Sequence, residues 1–494
     1  TLQKAGFEAY LVGGCTRDLL MGNKPKDWDI TTNATPEQIS GLFPHTFYEN
    51  EFGTVGVVNE EAEDDTLKYV EVTTYRLESD YRDNRRPSEV KFSTNLLDDL
   101  QRRDFTMNAI AISLPEGAED ISKSAHQSFS DWCADKGQIV DPYKGQDDLA
   151  KKIIRAVGDP KERFKEDALR ILRAVRFSAQ LGFMINLETA VEVEKQAVSL
   201  KNISKERIRD EFVKIVMSPE PMLGLVLSHK LGVLKEFLPD LERGIGIDQN
   251  QAHKYTVWEH NLRALQHSAD KGYSLVVRLS ALLHDISKPE TRRFAEDKKD
   301  WTFHGHEVVG GKVAKKILTD LKFSRETIEA VSTLVRWHMF FSDPDQITLS
   351  AVRRMVKNVG EDRIRDLMNL RICDRIGTGR PKEEPYRFRK YQSMIEEALR
   401  APVSVGMLKI DGAKIMEILD IKPGPKIGHI LNALLEEVLE DPNINTEEYL
   451  EKRTKEVAEL SEKELVELAQ KGKIKKEEEE GKEIKKIRGK YGVD

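Results

Sequence analysis

The sequence has few cysteines, no long apolar stretch and no strong excess of one charge. Its 494 residues include three cysteines, Cys15, Cys133 and Cys373. Because they are far apart and odd in number, they argue against a disulfide framework and indicate a reducing compartment. No apolar run approaches the ~20 residues of a membrane span, and the first residues lack the pattern of a secretory signal. We therefore expect a cytoplasmic protein that does not enter a membrane.

The overall charge does not indicate a nucleic-acid partner. Charged residues make up 33% of the chain, and the formal net charge is −7. Any signal for a polyanion must therefore be local. A chain of this length is too long to fold around a single hydrophobic core, so it should contain several domains.

The two halves of the chain differ in their hydrophobic patterns. Residues 8–112 mix short β-patterned runs with short helical ones, which predicts a small α+β domain built on a mixed sheet. From about residue 150 the pattern is almost wholly helical. The stretch 115–137 is polar and irregular, and the Gly- and Pro-containing segment 376–385 indicates a break. The chain ends in mixed charge of low complexity, typical of a solvated tail.

The stretch LVGGCTRDLLMGNKPKDWDIT, near the amino terminus, predicts a phosphate site. A β-patterned run leads into a turn at Gly13 and Gly14, and a helical pattern follows. Glycines let backbone amides approach phosphate oxygens closely, and a helix amino terminus favours an anion. A Gly-Gly turn alone is weak support, since most such turns bind nothing.

Carboxylates strengthen this interpretation. Asp27 and Asp29 are followed by β-branched residues, so we expect them to share one face of a strand. Such a like-charge pair is costly unless a cation lies between its members, and Mg²⁺ suits carboxylates with substrate phosphates. Glu71, in another β-patterned run, supplies a third carboxylate, although it could also lie on a solvated strand face. Three carboxylates on neighbouring strands would serve two-metal phosphoryl or nucleotidyl transfer.

The run EDALRILRAVRF predicts a base-selecting surface. Asp167, Arg170 and Arg173 recur at helical spacing and should share one side of a helix. Surface ion pairs are an equally common use of such residues. However, cytosine and adenine both present an amine donor beside a ring-nitrogen acceptor, which an Asp–Arg pair can match. Guanine and uracil present the opposite order, so the pair would reject them.

These motifs resemble the class II tRNA nucleotidyltransferase and bacterial poly(A) polymerase family. RRDFTMNA (102–109), DPYKGQDDL (141–149) and SKERIRDEF (204–212) follow in the order of that family. The resemblance implies that RRDFTMNA, which we call the second motif, binds ribose and triphosphate. It also implies that Glu166, Asp167 and Arg170 select CTP and ATP. The nucleotide-binding residues that we expect are Gly13, Gly14, Arg17, Asp18, Arg103, Asp104, Asn108, Glu166, Asp167, Arg170 and Arg173.

Two further segments fit an RNA-extending enzyme. The segment with Arg82, Arg85 and Arg86 resembles the flexible loop that the family needs for the final A, which implies full CCA addition. Residues 151–176 carry nine basic residues against four acidic ones, a local surplus of +5. Such a stripe can neutralise phosphates. The alternative is a solvated helix.

A second set of ligand residues lies in the helical half. His284 and Asp285 end an apolar helical run, and histidines and another aspartate recur around them. A lone buried histidine is more often part of a core, but nitrogen and carboxylate ligands together suit Mn, Fe, Ni or Zn. The order resembles the HD phosphohydrolases, which implies one metal on His260, His284, Asp285 and Asp374. His306 and His338 would complete a second metal site or contact phosphate.

The resemblance implies an order of domains and a function. We expect a nucleotidyltransferase head at 1–149, a helical neck with the nucleotide-selecting helix at 150–220, an HD domain at 221–380, a helical tRNA-binding tail at 381–452 and a charged tail at 453–494. The expected reaction is Mg²⁺-dependent CCA addition to tRNA from CTP and ATP, with an HD phosphohydrolase activity. Alternatives are a poly(A) polymerase, an HD hydrolase with an RNA-binding head, and, less favoured, an RNA chaperone. The sequence indicates no oligomeric state.

Overall fold

The structure is a computed structural model of the chain. It describes residues 1–48, 53–82, 86–113, 138–250, 254–339, 347–399 and 405–461, with short pieces at 463–468, 470, 485 and 487–492. The chain divides into two compact units. The first comprises Thr1–Arg336 and Asn369–Arg380, and the second comprises Trp337–Met368 and Pro381–Asp494. The domain boundaries expected from the sequence stay predictions.

The first unit begins with a mixed sheet, as the sequence predicts for the head. Its strands are β1 (Ala9–Val12), β2 (Trp28–Thr32), β3 (Thr46–Tyr48), β4 (Thr54–Val58), β5 (Tyr69–Thr74), β8 (Ala111–Ser113) and β9 (Gln138–Val140), while β6 (Arg76–Arg82) and β7 (Arg86–Phe92) form a separate hairpin. The order in the sheet is β3-β4-β5-β2-β1-β8-β9. Strands β2 and β5 are parallel, and the neighbours of this pair are antiparallel.

Short helices flank the sheet, and longer ones follow it. The helices up to residue 242 are α1 (Gly13–Leu20), α2 (Pro36–Leu42), α3 (Leu96–Gln101), α4 (Gly145–Ala150), α5 (Pro160–Glu166), α6 (Leu169–Leu181), α7 (Leu187–Gln196), α8 (Lys205–Val216), α9 (Pro221–Lys230) and α10 (Pro239–Glu242). Strands β10 (Ile153–Ile154) and β11 (Met184–Ile185) pair in parallel between them. Helix α6 ends at Leu181 and is capped by Gly182, whose φ is 69°.

The helical half continues with α11 (Val257–Asp270), α12 (Leu275–Leu283), α13 (Lys288–Thr291), α14 (His306–Asp320), α15 (Arg325–Trp337), α16 (Leu349–Val359), α17 (Ile364–Gly377), α18 (Tyr386–Leu399), α19 (Gly412–Leu419), α20 (Pro425–Glu440) and α21 (Glu447–Ala458). Helix α11 begins with a reciprocal cap, because Thr256 accepts from the Glu259 amide and Glu259 accepts from the Thr256 amide. One hairpin, β12 (Arg293–Ala295) with β13 (Asp300–Thr302), interrupts the helices. The sequence did not predict this hairpin.

One large hydrophobic cluster runs through the first unit. It begins at Phe105 and Met107 of the head, continues along α6 at residues such as Leu172, and reaches Leu262 and Leu279 in α11 and α12. The head sheet has smaller clusters of its own. The second unit has a separate core made by α19, α20 and α21. In the described part of the chain, no helix has the length and apolar character of a membrane span.

Candidate active sites

The turn after β1 brings a carboxylate and a guanidinium against a glycine. Gly13 has a φ of 75° and opens helix α1. A Cβ atom on Gly13 would lie 2.8 Å from Asp29 Oδ2 and 3.1 Å from Arg103 Nη1. Only glycine therefore allows this backbone conformation together with this close approach. Three residues that the sequence selected from separate segments meet here.

Of the three predicted carboxylates, two lie on strands of the sheet and one does not. Asp29 of β2 lies in register with Glu71 of β5, so in this parallel pair both side chains point to one face of the sheet. Both residues are half-buried. Asp27 lies in the bend before β2 and is exposed, so the prediction that it shares the strand with Asp29 is wrong. The strand begins one residue later, at Trp28.

Alanine at Gly13 should disable this site more than it destabilises the fold. The left-handed conformation costs about 1–2 kcal/mol for a residue with a Cβ, and the new atom would displace Asp29 and Arg103. We expect nucleotide incorporation to fall about 100-fold. Gly6→Ala is the matched control, since Gly6 has a φ of 85° but no atom within 4 Å of a built Cβ. Steady-state incorporation and thermal unfolding would be measured on both variants, and equal activity losses would contradict this account.

The second motif is held by a buried carboxylate that the sequence analysis missed. Asp99 is fully buried and accepts from Arg102 at 2.6 Å and from Arg103 at 3.1 Å. Burial raises the pKa of Asp99, but the two guanidinium groups outweigh it and lower the pKa. Asp99 thus fixes Arg103 beside the glycine turn. The spacing of three and four residues to the two arginines is the signal that could have identified it.

Asp104 connects the second motif to the neck helix. It accepts from Asn108 Nδ2 at 3.1 Å and from Arg173 Nε at 2.7 Å. Burial raises the pKa of Asp104, but the charge of Arg173 and these hydrogen bonds hold it well below its usual range. Arg17 donates to Asn108 Oδ1 at 3.2 Å and is paired with Asp18 at 2.6 Å. Five of the predicted nucleotide-binding residues therefore form one polar network.

The start of the neck helix differs from the prediction. Helix α6 begins at Leu169, and Asp167 precedes it in an extended conformation, so Asp167 does not share a helical face with Arg170 and Arg173. The reason is local: Asp167 Oδ1 accepts from the Leu169 amide at 3.0 Å, a side-chain bond to the nearby backbone that competes with a continuous helix. Its other oxygen accepts from Arg207 at 2.7 Å. Arg207 was not predicted.

Arg170 and Glu166 form a further ion pair, in which the arginine is buried and the carboxylate is half-buried. Arg170 donates to the Glu166 carboxylate, and it also donates to the Arg102 carbonyl at 2.8 Å. Glu166 accepts from Arg163 at 2.7 Å as well. The structure therefore brings the three predicted selecting residues to the junction of α5 and α6, where each one has a protein partner.

The basic stripe at 151–176 is mostly neutralised within the fold. Six of its nine cations pair with carboxylates, namely Arg155, Arg163, Lys165, Arg170, Arg173 and Arg176. The interpretation of this stripe as a free phosphate-binding surface is therefore wrong for most of its members. Buried guanidinium groups need counter-charges, and the fold supplies them.

The segment that resembles the flexible loop of the family is only partly described. Arg82 ends β6 and Arg86 begins β7. Arg85 lies outside the described residues, as does the segment 115–137.

Three guanidinium groups surround one aromatic ring in the neck. Arg17, Arg173 and Arg176 lie 5.4, 5.5 and 3.9 Å from the centroid of Phe177. Arg176 also pairs with buried Glu211 of α8 at 2.9 Å. Burial lowers the pKa of Arg176 to about 10, and the positive charge of Arg173 adds to the effect. These contacts hold α6 to the head and to α8.

The helical half contains a compact set of buried ligand atoms. His260 of α11, His284 and Asp285 at the end of α12, and Asp374 of α17 meet there. Nε2 of His260 lies 2.8 Å from Nε2 of His284, 3.1 Å from Asp285 Oδ2 and 3.3 Å from Asp374 Oδ1. Nε2 of His284 lies 3.4 Å and 3.7 Å from the same two oxygens. The four predicted ligands of one metal therefore converge.

The spacing of these atoms fits a bound divalent ion. Metal bonds to nitrogen and oxygen of about 2.1 Å place neighbouring donors about 3.0 Å apart in an octahedron and about 3.4 Å apart in a tetrahedron. The donor set, two imidazoles and two carboxylates, suits a transition metal. The Nδ1 atom of His284 lies 2.9 Å from the Ala281 carbonyl, so the ring can present Nε2 to a metal.

Charge within the cluster is balanced by neighbouring cations. Lys288 Nζ lies 2.6 Å from Asp285 Oδ2, and Arg371 donates to Asp374. Burial alone would lower the pKa of His284, but the Asp285 and Asp374 carboxylates raise it to about 10. The signal for Lys288 was available in the sequence, three residues after Asp285.

The two remaining predicted ligands, His306 and His338, are both buried. His306, the first residue of α14, has Nε2 3.2 Å from Asp285 Oδ1, on the opposite carboxylate oxygen from the other histidines. His338 follows α15, is buried and belongs to the second unit. Their role in a second metal site stays a prediction.

Comparison with known proteins places these two sites in one family. Three family models match the chain: the poly A polymerase head domain at residues 9–155, a probable RNA- and SrmB-binding site of polymerase A at 182–245, and the HD domain at 257–377. The fold and the sites thus define a nucleotidyltransferase head followed by an HD domain. The first model covers Gly13, Asp29 and Glu71, and the third covers His260 and Asp374.

Curated relatives span most of the chain. The CCA-adding enzyme of Geobacillus thermodenitrificans (strain NG80-2) is 30% identical over 436 residues, which is 88% of this chain and 89% of the relative. The A-adding tRNA nucleotidyltransferase of Deinococcus radiodurans is 31% identical over 87% of this chain and 91% of the relative. The CCA-adding enzyme of Geobacillus sp. (strain WCH70) is 43% identical, but the match spans only 53% of that relative.

A solved structure agrees with these relatives. The Bacillus stearothermophilus CCA-adding enzyme in complex with CTP has a TM-score of 0.55 and 25% identity, covering 92% of this chain and 94% of that one. The chain belongs to the CCA-adding enzyme family of tRNA nucleotidyltransferases.

Proposed function

We propose that this chain adds C, C and A to the 3′ ends of tRNA without a nucleic-acid template, using CTP and ATP. The observation that carries the proposal is the meeting of Asp29, Arg103 and the Gly13 turn, with Glu71 in register beside Asp29. This arrangement offers carboxylates for Mg²⁺ next to amides and a guanidinium for a triphosphate. The relatives named above act on tRNA or carry CCA addition in their names.

The reaction follows from these groups. The terminal 3′ hydroxyl oxygen of the tRNA forms a bond to the α-phosphorus of the nucleotide, the bond to the bridging oxygen breaks, pyrophosphate leaves, and the hydroxyl proton passes to solvent. Bound Mg²⁺ would activate the hydroxyl and neutralise the developing charge. Asp29 and Glu71, with Asp27 from the adjacent bend, would hold the ion. Arg103 and the Gly13 and Gly14 amides would bind the triphosphate.

Nucleotide choice would rest on Asp167 and Arg170. Asp167 would accept from the exocyclic amine of cytosine or adenine, and Arg170 would donate to the adjacent ring nitrogen. Both are already ordered by protein contacts, Asp167 by Arg207 and Arg170 by the Arg102 carbonyl. Groups that the protein holds in place discriminate well, because a base with the opposite donor and acceptor order would set acceptor against acceptor and donor against donor.

The HD cluster would supply a second activity, hydrolysis of phosphate esters. His260, His284, Asp285 and Asp374 have the spacing and donor types of a transition-metal site. The metal when bound would make its water a nucleophile near neutral pH. A phosphatase or 2′-nucleotidase would remove a terminal phosphate, and a 2′,3′-cyclic phosphodiesterase would open a cyclic one, so that together they return a damaged end to the free ribose that the head extends.

Incubation with tRNA transcripts tests the proposal. Purified protein with Mg²⁺ would receive a transcript ending at the discriminator base, with CTP alone, ATP alone or both, and products would be sized on a denaturing gel. We expect growth by two residues with CTP and by three with both nucleotides. A parallel transcript ending in CC tests for addition of A alone, the activity that names the Deinococcus relative.

Each other product pattern has a definite meaning. Extension of only the CC-ended transcript would replace CCA addition with A addition. Long tails with ATP alone would identify a poly(A) polymerase. No extension of either transcript would overturn the proposed nucleotidyltransferase function and leave the HD cluster as the working site.

A further inference from the structure

The hairpin β12–β13 connects two segments of the HD cluster. Lys288, which contacts Asp285, opens the short helix α13 immediately before the hairpin, and His306 follows it by four residues. Both ends of the hairpin are fixed at the cluster. Ser287 Oγ donates to the His306 carbonyl at 2.6 Å, and His306 Nδ1 lies 2.7 Å from the Phe303 carbonyl. The hairpin therefore projects from the rim of the ligand cluster.

The hairpin exposes aromatic rings. Phe294 of β12 has 47% of its surface exposed and contacts Trp301 of β13 in an edge-to-face arrangement with 5.2 Å between centroids. The guanidinium of Arg292 lies over the Trp301 ring, with 3.6 Å between Cζ and the ring centroid. The exposed face of Phe294 and the Arg292–Trp301 pair thus place planar groups side by side on this hairpin. Planar groups of this kind are surfaces on which nucleic-acid bases stack.

Among the residues that the structure describes, the cations of the hairpin have no acidic partners. Arg292, Arg293, Lys298 and Lys299 form no ion pair with a carboxylate in the described part of the chain, although three acidic residues lie in the same hairpin. The buried Arg292 Nε has no hydrogen-bond partner among the described residues. Because the net charge of the hairpin is small, recognition must combine stacking with a few directed guanidinium contacts rather than a general positive field.

We propose that this hairpin, which we call the stacking hairpin (residues 292–302), binds the terminal bases of a single-stranded RNA 3′ end and presents its phosphate to the HD cluster. The bases would stack on Phe294, and Arg292 would contact the backbone phosphate. This inference rests on the proposed HD hydrolase activity and names its substrate class: the 3′ end of an RNA rather than a free nucleotide or a small ester.

Two substrates separate the contribution of the stacking hairpin to RNA hydrolysis from the activity of the HD cluster itself. Full-length protein supplied with Mn²⁺ would be assayed on a short single-stranded RNA ending in a 3′ phosphate and on p-nitrophenyl phosphate, which has no base. In Phe294→Leu the ratio of kcat/KM for RNA to kcat/KM for the small ester should fall about 10-fold, since stacking on a ring is lost. Phe294→Tyr keeps a ring and should retain the ratio. Phe47→Leu, which removes an equally exposed ring (47%) from the head, is the control.

Crosslinking keeps the inference testable if neither ester is hydrolysed. An RNA with 4-thiouridine near its 3′ end would be irradiated with the wild type, and crosslinked peptides would be mapped by mass spectrometry. Crosslinks within 292–302 that Phe294→Leu reduces would support the stacking hairpin even though the hydrolase proposal had failed. An unchanged kcat/KM ratio in Phe294→Leu, or no crosslink to the hairpin, would overturn it and favour a protein partner for the exposed ring.

Discussion

Asp29→Asn should lower nucleotide incorporation by at least about 10³-fold, because it removes one of the negative charges that the proposed Mg²⁺ site requires. Asparagine has nearly the shape of aspartate, so the strand register between Asp29 and Glu71 should be retained. Incorporation of radiolabelled CTP into a tRNA transcript measures the loss, and unfolding temperature shows whether the head is intact.

Two further variants interpret that result. Asp65→Asn removes an exposed carboxylate of the same head, one that pairs with Lys68, and should leave incorporation within about two-fold of wild type. Asp27→Asn tests the residue that the structure places before the strand rather than on it. Substantial incorporation by Asp29→Asn would remove this residue from the metal site.

Asp285→Asn should eliminate metal retention and phosphate-ester hydrolysis at the HD cluster, with a loss of at least about 10³-fold. Asp285 is the residue most central to the cluster, since its two oxygens contact His260, His284, His306 and Lys288. An asparagine oxygen is a weaker ligand, and its amide would face Lys288. Bound Mn²⁺ after dialysis would be measured by mass spectrometry, alongside hydrolysis of p-nitrophenyl phosphate.

His304→Ala is the control for this variant, because His304 is exposed and outside the cluster. It should retain both metal and hydrolysis. Nucleotide incorporation by the same preparations reports whether the chain is folded. Full metal content in Asp285→Asn would remove Asp285 from the ligands of the retained ion, and wild-type protein that retains no metal after dialysis would mean that the cluster is a buried polar core.

Much of the head and of the HD cluster could be predicted from short-range patterns. The turn at Gly13 follows from two glycines between a strand and a helix, and the pairing of Asp29 with Glu71 follows from side-chain alternation in neighbouring strands. His284 and Asp285 are adjacent in sequence, and His260 and Asp374 were identified by the order of an HD family. In each case the signal is local or comes from the resemblance.

Other features could not be predicted because competing contacts decide them. The spacing favours a single helix through Asp167, but the side chain of Asp167 accepts from the Leu169 amide and the chain is extended there. The basic stripe was misinterpreted because sequence spacing does not reveal distant counter-charges such as Glu211 for Arg176. The β12–β13 hairpin is built from three-residue strands, which are too short for periodicity to detect.

The hydrophobic cluster that extends from Phe105 to the HD helices has a thermodynamic consequence. Residues of one continuous interior lose their packing together, so the two candidate sites should share a single cooperative melting transition. An ion that binds only the native HD cluster would then raise the melting temperature of the polymerising head as well, through mass action alone. Repair and extension would be linked by shared stability, without any signal passing between the sites.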